Sequence, residues 1–209
     1  MKKIILITQG SQAIQLIRTL FSLGYKPNEL KIYTDTDKDT NKSFLEFLKY
    51  YDIDYLENID YKDWNEKIVI SYSNTYKLKI NNNSTFINFH PGLLPKYKGS
   101  LSTVHSMITQ ENEVGGTWHY MTDKIDHGNI LRQFSINITD NDTAFSLNHK
   151  IFNQSVNCLS EVLHLVNNGA SGHSQNHDKG KFYYNKFPNI THLDKEIQKK
   201  INYFPPLFK

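Results

Sequence analysis

The side chains best suited to chemistry are concentrated in Asn88-Phe89-His90-Pro91-Gly92-Leu93-Leu94-Pro95-Lys96-Tyr97-Lys98-Gly99. Asn88 and His90 close the apolar run 85–90 (TFINFH), two residues apart. On a strand that spacing turns both side chains to one face. An amide beside an imidazole can donate hydrogen bonds to a polarised oxygen and move a proton, the needs of a carbonyl-transfer reaction. The bland reading of such a pair is structural hydrogen bonding, but two prolines and two glycines stiffen the turn that follows it. Two other spots are weaker. Gln9-Gly10-Ser11-Gln12 lies between a strand and a helix, where backbone N–H groups can hold a phosphate. It lacks the G-x-G-x-x-G pattern, which argues against a dinucleotide site and a nicotinamide oxidoreductase. His173 and His177 are four apart in a Gly/Ser/Asn-rich stretch with no flanking carboxylate set, so they read as solvated loop histidines, not metal ligands.

A site at a strand end needs a sheet to hold it, and the first half of the chain supplies one. Residues 3–8 (KIILIT) read as a buried strand, followed by a helix with Ala13, Leu16, Ile17, Leu20 and Phe21 on one side and Gly24 at its end. A strand at 30–34 leads through a polar turn, Asp35–Thr40, to a helix capped by Asn41 or Ser43 and carrying Phe44, Leu45, Leu48 and Tyr51. A short strand near Tyr55, a helical turn around Trp64 and strands at 67–72 and 85–90 continue the alternation. Continuous apolar strands alternating with helices imply a parallel sheet covered on both faces. In such sheets ligands gather at the carboxyl ends of strands, where Asn88 and His90 fall. Residues 115–122 and 129–138 have no helix between them and are expected to pair antiparallel. A long helix over about 142–168, a polar loop at 170–180 and an aromatic tail at 181–209 complete the chain.

The composition narrows the field. At roughly 150 residues per domain, 209 residues make one domain, or one with a small appendage. A net charge of +3 is too small for a nucleic-acid surface or a polybasic membrane anchor. Arg18 and Arg132 are the only arginines, so phosphate contacts must rest on lysines or backbone N–H groups. A single cysteine, Cys158, excludes an internal disulfide and thiolate-pair zinc sites. The first apolar run stops at Thr8, shorter than an export signal, and no run is long enough to span a membrane, so a cytoplasmic location is expected.

The pattern Asn88-x-His90-Pro91-x-Leu93-Leu94-Pro95-x-Tyr97-basic-Gly99, followed by Gly116-Thr117-x-His119 and Asp126-x-Gly128-x-Ile130, resembles the signature of enzymes that transfer a formyl group from 10-formyltetrahydrofolate. The resemblance covers about residues 1–168. It implies an α/β, Rossmann-like, mostly parallel twisted sheet with helices on both faces and a short C-terminal hairpin-like extension. It divides the chain into a catalytic domain, 1–169, and an extension, 170–209. The family's catalytic trio falls on Asn88, His90 and Asp126, with Asn88 and His90 donating to the oxygen and Asp126 orienting His90 and joining in proton removal. His119 and Trp118 read as packing residues.

By the same resemblance the folate lies against Thr75, Tyr76, Lys77 and Leu78 and against the loop of Thr122, Asp123 and Ile125. A sugar diphosphate lies toward Lys96, Tyr97, Lys98 and Gly99, with Ser11 and Gln12 as further contacts; Lys98 stands where the family often has arginine. No metal is called for, and the Leu94–Pro95 peptide is expected to be cis. Residues 41–48, 71–73 and 182–208 look like the nucleotide-sugar branch, with dTDP-4-amino-4,6-dideoxyglucose as the acceptor, surface glycan as the destination, no nucleic-acid or membrane partner, and a homodimer built through the tail. The purine-pathway phosphoribosylglycinamide formyltransferase, or a non-catalytic module binding nucleotide sugar or folate, are the alternatives. The tail's Phe182, Tyr183, Tyr184, Phe187, Tyr203, Phe204, Leu207 and Phe208 could equally fold back on their own domain.

Overall fold

Ile4–Thr8 forms strand β1, buried at every position, as a continuous apolar run must be in the middle of a sheet. The computed structural model describes residues 2–8, 10, 12–34, 41–62, 64–74 and 77–203. The turn Asp35–Thr40 and the tail residues Phe204, Leu207 and Phe208 lie outside the described residues. Helix α1 (Gln12–Ser22) buries Ala13, Leu16, Ile17 and Leu20, the stripe its spacing predicts. Then come β2 (Leu30–Tyr33), α2 (Lys42–Tyr50, Asn41 at its N-cap position), β3 (Tyr55–Leu56), β4 (Ile68–Tyr72) and β5 (Thr85–His90). The second half runs β6 (Tyr97–Gly99), α3 (Ser102–Ile108), β7 (Glu113–Tyr120), β8 (Ile130–Asn137), α4 (Ala144–Asn157), α5 (Leu159–Asn167), β9 (Lys181–Tyr183) and α6 (Lys195–Asn202).

Seven strands form one sheet in the order β3-β2-β1-β4-β5-β7-β8. The first five are parallel, and β7 and β8 are antiparallel, as expected from the missing helix between them. Every helix sends its buried apolar residues into one core on one face, among them Leu16, Phe44, Met107, Ile151, Leu163 and Ile201. The sequence alternation suggested helices on both faces. On the other face, however, the core of Ile5, Ile7, Tyr33, Val69 and Phe86 is closed by Trp64 and Leu78 from connecting segments. Trp64 is fully buried between turn residues 62 and 65–66, and its indole lies against Tyr33, Tyr61 and Phe86.

The helix expected over 142–168 is two, meeting at Cys158. Trp118 Nε1 donates to the Ser155 carbonyl at 3.0 Å, the acceptor that residue 159 uses in an uninterrupted helix. The Tyr72 hydroxyl lies against Ser155 Oγ (2.9 Å) and the Phe152 carbonyl (3.3 Å). Side chains entering the backbone ladder break it there. Among the described residues the extension forms no hairpin. Its strand β9 pairs parallel with β6, and beyond it Ile190 and Ile201 join the first core. The Leu94–Pro95 peptide is cis. No helix among the described residues is long and apolar enough to cross a membrane.

Candidate active site

Register brings the two sequence motifs together. In the antiparallel pair β5–β7, Asn88 lies opposite His119 and His90 opposite Thr117, so the four side chains share one patch of sheet. Thr117 secures the turn after His90. Its Oγ1 donates to the Gly92 carbonyl (2.7 Å) and accepts from Leu94 N (3.2 Å) and Gln133 Nε2 (2.8 Å). The register of β7 against β8 shifts between Trp118 and His119, and Trp118 goes to the helical core while His119 goes to the site. Asp126 arrives from the β7–β8 loop with φ +59°, a conformation that costs a non-glycine residue on the order of 1 kcal/mol. Gly128, two residues on, has no room for a side chain: a Cβ would fall 1.8 Å from the Tyr120 carbonyl oxygen.

The structure brings His90 and Asp126 together beside the half-buried Asn88, and the first two are nearly dry. Side-chain exposure is 4% for His90 and 5% for Asp126. Asp126 Oδ2 accepts from Gly99 N at 2.7 Å and lies 3.5 Å from His90 Nδ1, while Oδ1 lies 3.6 Å from His119 Nε2. Gly99 can reach it because its φ of +85° suits glycine, and a Cβ there would meet the Tyr183 carbonyl at 2.1 Å. Burial pushes the Asp126 pKa up, but the facing His90 and His119 rings and the Gly99 N–H outweigh it and hold the carboxyl below its ordinary range. His90 moves the same way for a different reason. Burial disfavours its charged form, and the Asp126 charge and the Tyr97 carbonyl only partly compensate.

The neighbours assign the ring protons. His90 Nε2 lies 2.5 Å from the Tyr97 carbonyl, which can only accept, so Nε2 carries hydrogen and Nδ1 is the nitrogen that faces Asp126. Ser102 Oγ also approaches Nε2, at 3.3 Å. His119 Nδ1 donates to the Tyr120 carbonyl at 2.7 Å, which leaves Nε2 to accept from Asn88 Nδ2 at 3.1 Å. The Asn88 amide is thereby oriented, with its second N–H uncommitted. Sequence reading treated His119 as packing, yet it is 1% exposed and part of the cluster. Its spacing of two from Thr117 puts it on the same face of its strand, but only the pairing of that strand with β5 brings it to Asn88.

The remaining candidates are scattered around this centre. Lys96 Nζ is paired with Glu111 at 2.7 Å, and the Tyr97 hydroxyl bonds Thr109 (2.6 Å) and Glu111 (2.7 Å). Both side chains thus engage α3 and the turn after it, and Tyr97 meets the trio only through its carbonyl. Lys98 is buried, with Nζ 3.5 Å from the His177 carbonyl, and Gly99 meets Asp126 directly. Thr122, Asp123 and Ile125 are exposed on the loop that delivers Asp126. Lys77 is exposed and Leu78 packs in the second core. Gln12 is exposed at the start of α1; Ser11, Thr75 and Tyr76 lie outside the described residues. No group of three or more His, Cys, Asp or Glu side chains among the described residues could hold a metal ion. A cleft of about 480 Å³ bordered by Lys3, Lys31, Asp54 and Lys67 opens at the amino ends of the strands, away from the trio.

Residues 78–163 match the formyl transferase family. Over 89 residues the chain is 38% identical to GDP-perosamine N-formyltransferase of Brucella melitensis, an aligned stretch that is 43% of this chain and 34% of that relative. The matches thus span about a third or less of the length of the curated relatives. The fold is similar to that of WlaRD, a sugar 3N-formyl transferase solved in the presence of dTDP and 5-N-formyl-THF (TM-score 0.83, 22% identity, 96% of this chain and 78% of that one). It is also similar to an N-formyltransferase from Helicobacter canadensis in complex with folinic acid and dTDP-3-aminofucose (TM-score 0.82, 20% identity, 96% and 79%).

Proposed function

We propose that this chain, with the formyl transferase match over residues 78–163, transfers the formyl group of 10-formyltetrahydrofolate to the amino group of a nucleotide-linked amino sugar destined for surface glycan. The observation that carries the reading is the cluster in which Asn88 is oriented by His119 and the buried His90 turns Nδ1 to the buried Asp126 carboxylate. A binding module has no use for such a proton-accepting pair. The acceptor's amine nitrogen bonds to the formyl carbon, and the carbonyl electrons move to oxygen. The uncommitted Asn88 N–H is the donor for that oxygen, a contact of the kind worth ~10²–10³ in rate. The proton leaving the amine goes to the His90–Asp126 pair. As the intermediate collapses, the bond to the folate nitrogen breaks and that nitrogen takes up a proton, so no net proton is released.

The exposed loop of Thr122, Asp123 and Ile125, with Lys77, Leu78 and the preceding Thr75 and Tyr76, is the folate side in this reading. The diphosphate lies toward Lys96–Gly99 and the start of α1 at Ser11 and Gln12, and the reaction needs no metal. The enzyme acts in the cytoplasm, in keeping with a free, buried Cys158. It works as a homodimer, for which the exposed Phe182, Tyr184, Phe187 and Tyr203 offer apolar surface. The first acceptor to try is dTDP-4-amino-4,6-dideoxyglucose, beside dTDP-3-aminofucose and GDP-perosamine. Mass spectrometry of each after incubation with enzyme and 10-formyltetrahydrofolate tests the reading. A formylated amino sugar is expected; formylation of glycinamide ribonucleotide alone would move the chain to purine synthesis, and no product from any acceptor would leave a binding module.

A further inference from the structure

The stretch 170–180 reads as a polar loop, yet it is fastened beside the candidate active site. His173 pairs antiparallel with Ile130 through two backbone hydrogen bonds of 2.8 Å. Further on, Lys181 N donates to the Lys96 carbonyl (3.1 Å) and Ser100 N to the Tyr183 carbonyl (2.9 Å), while the Tyr183 ring stacks on Tyr97 and His105. Between these anchors the side chain of Gln175 turns inward. Its Nε2 lies 3.1 Å from the Asp126 carbonyl and 2.7 Å from the Gly128 carbonyl.

We infer that Gln175 is a positioning residue for Asp126, its amide nitrogen holding the backbone on both sides of His127 so that the carboxylate stays against His90. The inference rests on the proposed function and concerns how its proton acceptor is kept in place. Both facing atoms are carbonyl oxygens, so the group between them must donate twice, which one amide nitrogen does. Gln175 Oε1 is left buried without a partner, so the two donations are what the side chain contributes there. Asp126 needs such help. Its left-handed backbone persists only where the surroundings over-determine it, and the loop before it is exposed. Gly99 N–H grips the carboxylate and Gln175 grips the main chain, and both belong to the region joined by β6 and β9. The segment after residue 169 thereby completes the site from the same chain.

The test reads His90 directly and needs no turnover. His90 is faced by Asp126, His119, the Tyr97 carbonyl and Ser102, and of these only the Asp126 charge and the Tyr97 carbonyl raise its pKa. NMR titration of the His90 ring should show a lower pKa in Gln175→Met than in the parent, in the direction of Asp126→Asn. Adding Gln175→Met to Asp126→Asn should then produce no further fall. Gln175→Leu, which also removes both donations without adding charge, should give the same fall, and it carries the test if the methionine variant does not fold. With an accepted amino sugar, Gln175→Met should lower kcat about tenfold to a hundredfold, and should lower it far less in the Asp126→Asn background. An unchanged His90 titration in a folded Gln175→Met protein, or equal losses in both backgrounds, would overturn the inference. Absence of formyl transfer by the parent protein would instead count against the proposed function and leave the titration standing.

Discussion

Asn88, His90, His119 and Asp126 form one hydrogen-bonded cluster around the Asp126 carboxylate. The carbonyls of Tyr97 and Tyr120 fix a proton on His90 Nε2 and on His119 Nδ1, and the other two ring nitrogens face Asp126 and Asn88. A pH dependence follows. In the proposed reaction the His90–Asp126 pair accepts the proton only while His90 is neutral, and burial pushes the His90 pKa below the ordinary value of about 6.5. Activity should therefore hold at neutral pH and fall as pH drops through that lowered value. Because the Asp126 charge raises the His90 pKa, Asp126→Asn should move the acid limb to still lower pH while reducing kcat. A pH–rate profile checks both, and a limb above pH 7, or one that rises in Asp126→Asn, would be wrong for this arrangement. His119→Ala should also cost about tenfold or more in kcat by releasing the Asn88 amide, with KM for folate little changed in the same assay.

At the scale of elements, Asp142 shows how a polar residue can anchor a helix. It is 3% exposed just before α4. It accepts from Thr139 N (3.1 Å) and Oγ1 (2.8 Å), Ser146 Oγ (2.8 Å) and Lys150 Nζ (2.7 Å). Burial pushes its pKa up, but Lys150, Ser146 and Thr139 pull it well below the carboxylate range. A depressed pKa contributes stability above the unfolded value of about 4 that is lost as pH falls. Asp142→Ala should lower unfolding stability near pH 7 by about 2–3 kcal/mol, by urea denaturation, with the difference shrinking in acid. The strands of the seven-stranded sheet and α1 were legible because their apolar periods are continuous and local, whereas the short β6 and β9 carry no such pattern. Helix α3 was not legible either: it buries Ser102, Thr103 and Ser106 beside Val104 and Met107, so no apolar stripe marks it. The break at Cys158 was equally hidden, since Trp118 and Tyr72 act on α4 from distant strands. Asn88 and His90 were legible from spacing and Asp126 from family resemblance, whereas the role of His119 required the β5–β7 register.

For the whole molecule, the extension after residue 169 is divided in purpose. Part of it folds home: β9 lies on β6, and Ile190 and Ile201 enter the main core. Part of it faces out, with Tyr184 at 78% and Tyr203 at 49% exposure. If those rings meet a second copy, light scattering at micromolar concentration should give about twice 24.4 kDa; a mass near 24.4 kDa would refute the dimer. Dimer or monomer, the central claim is that Asn88, His90 and Asp126 perform formyl transfer in this chain. Its most direct measurement is steady-state turnover of the parent and of His90→Ala, side by side, with 10-formyltetrahydrofolate and an accepted amino sugar, following tetrahydrofolate and formylated product together. The parent should turn over with equal amounts of both products, and folded His90→Ala should lose at least ~10²-fold in kcat with a much smaller change in KM. A folded His90→Ala protein that turns over near the parent rate would contradict it.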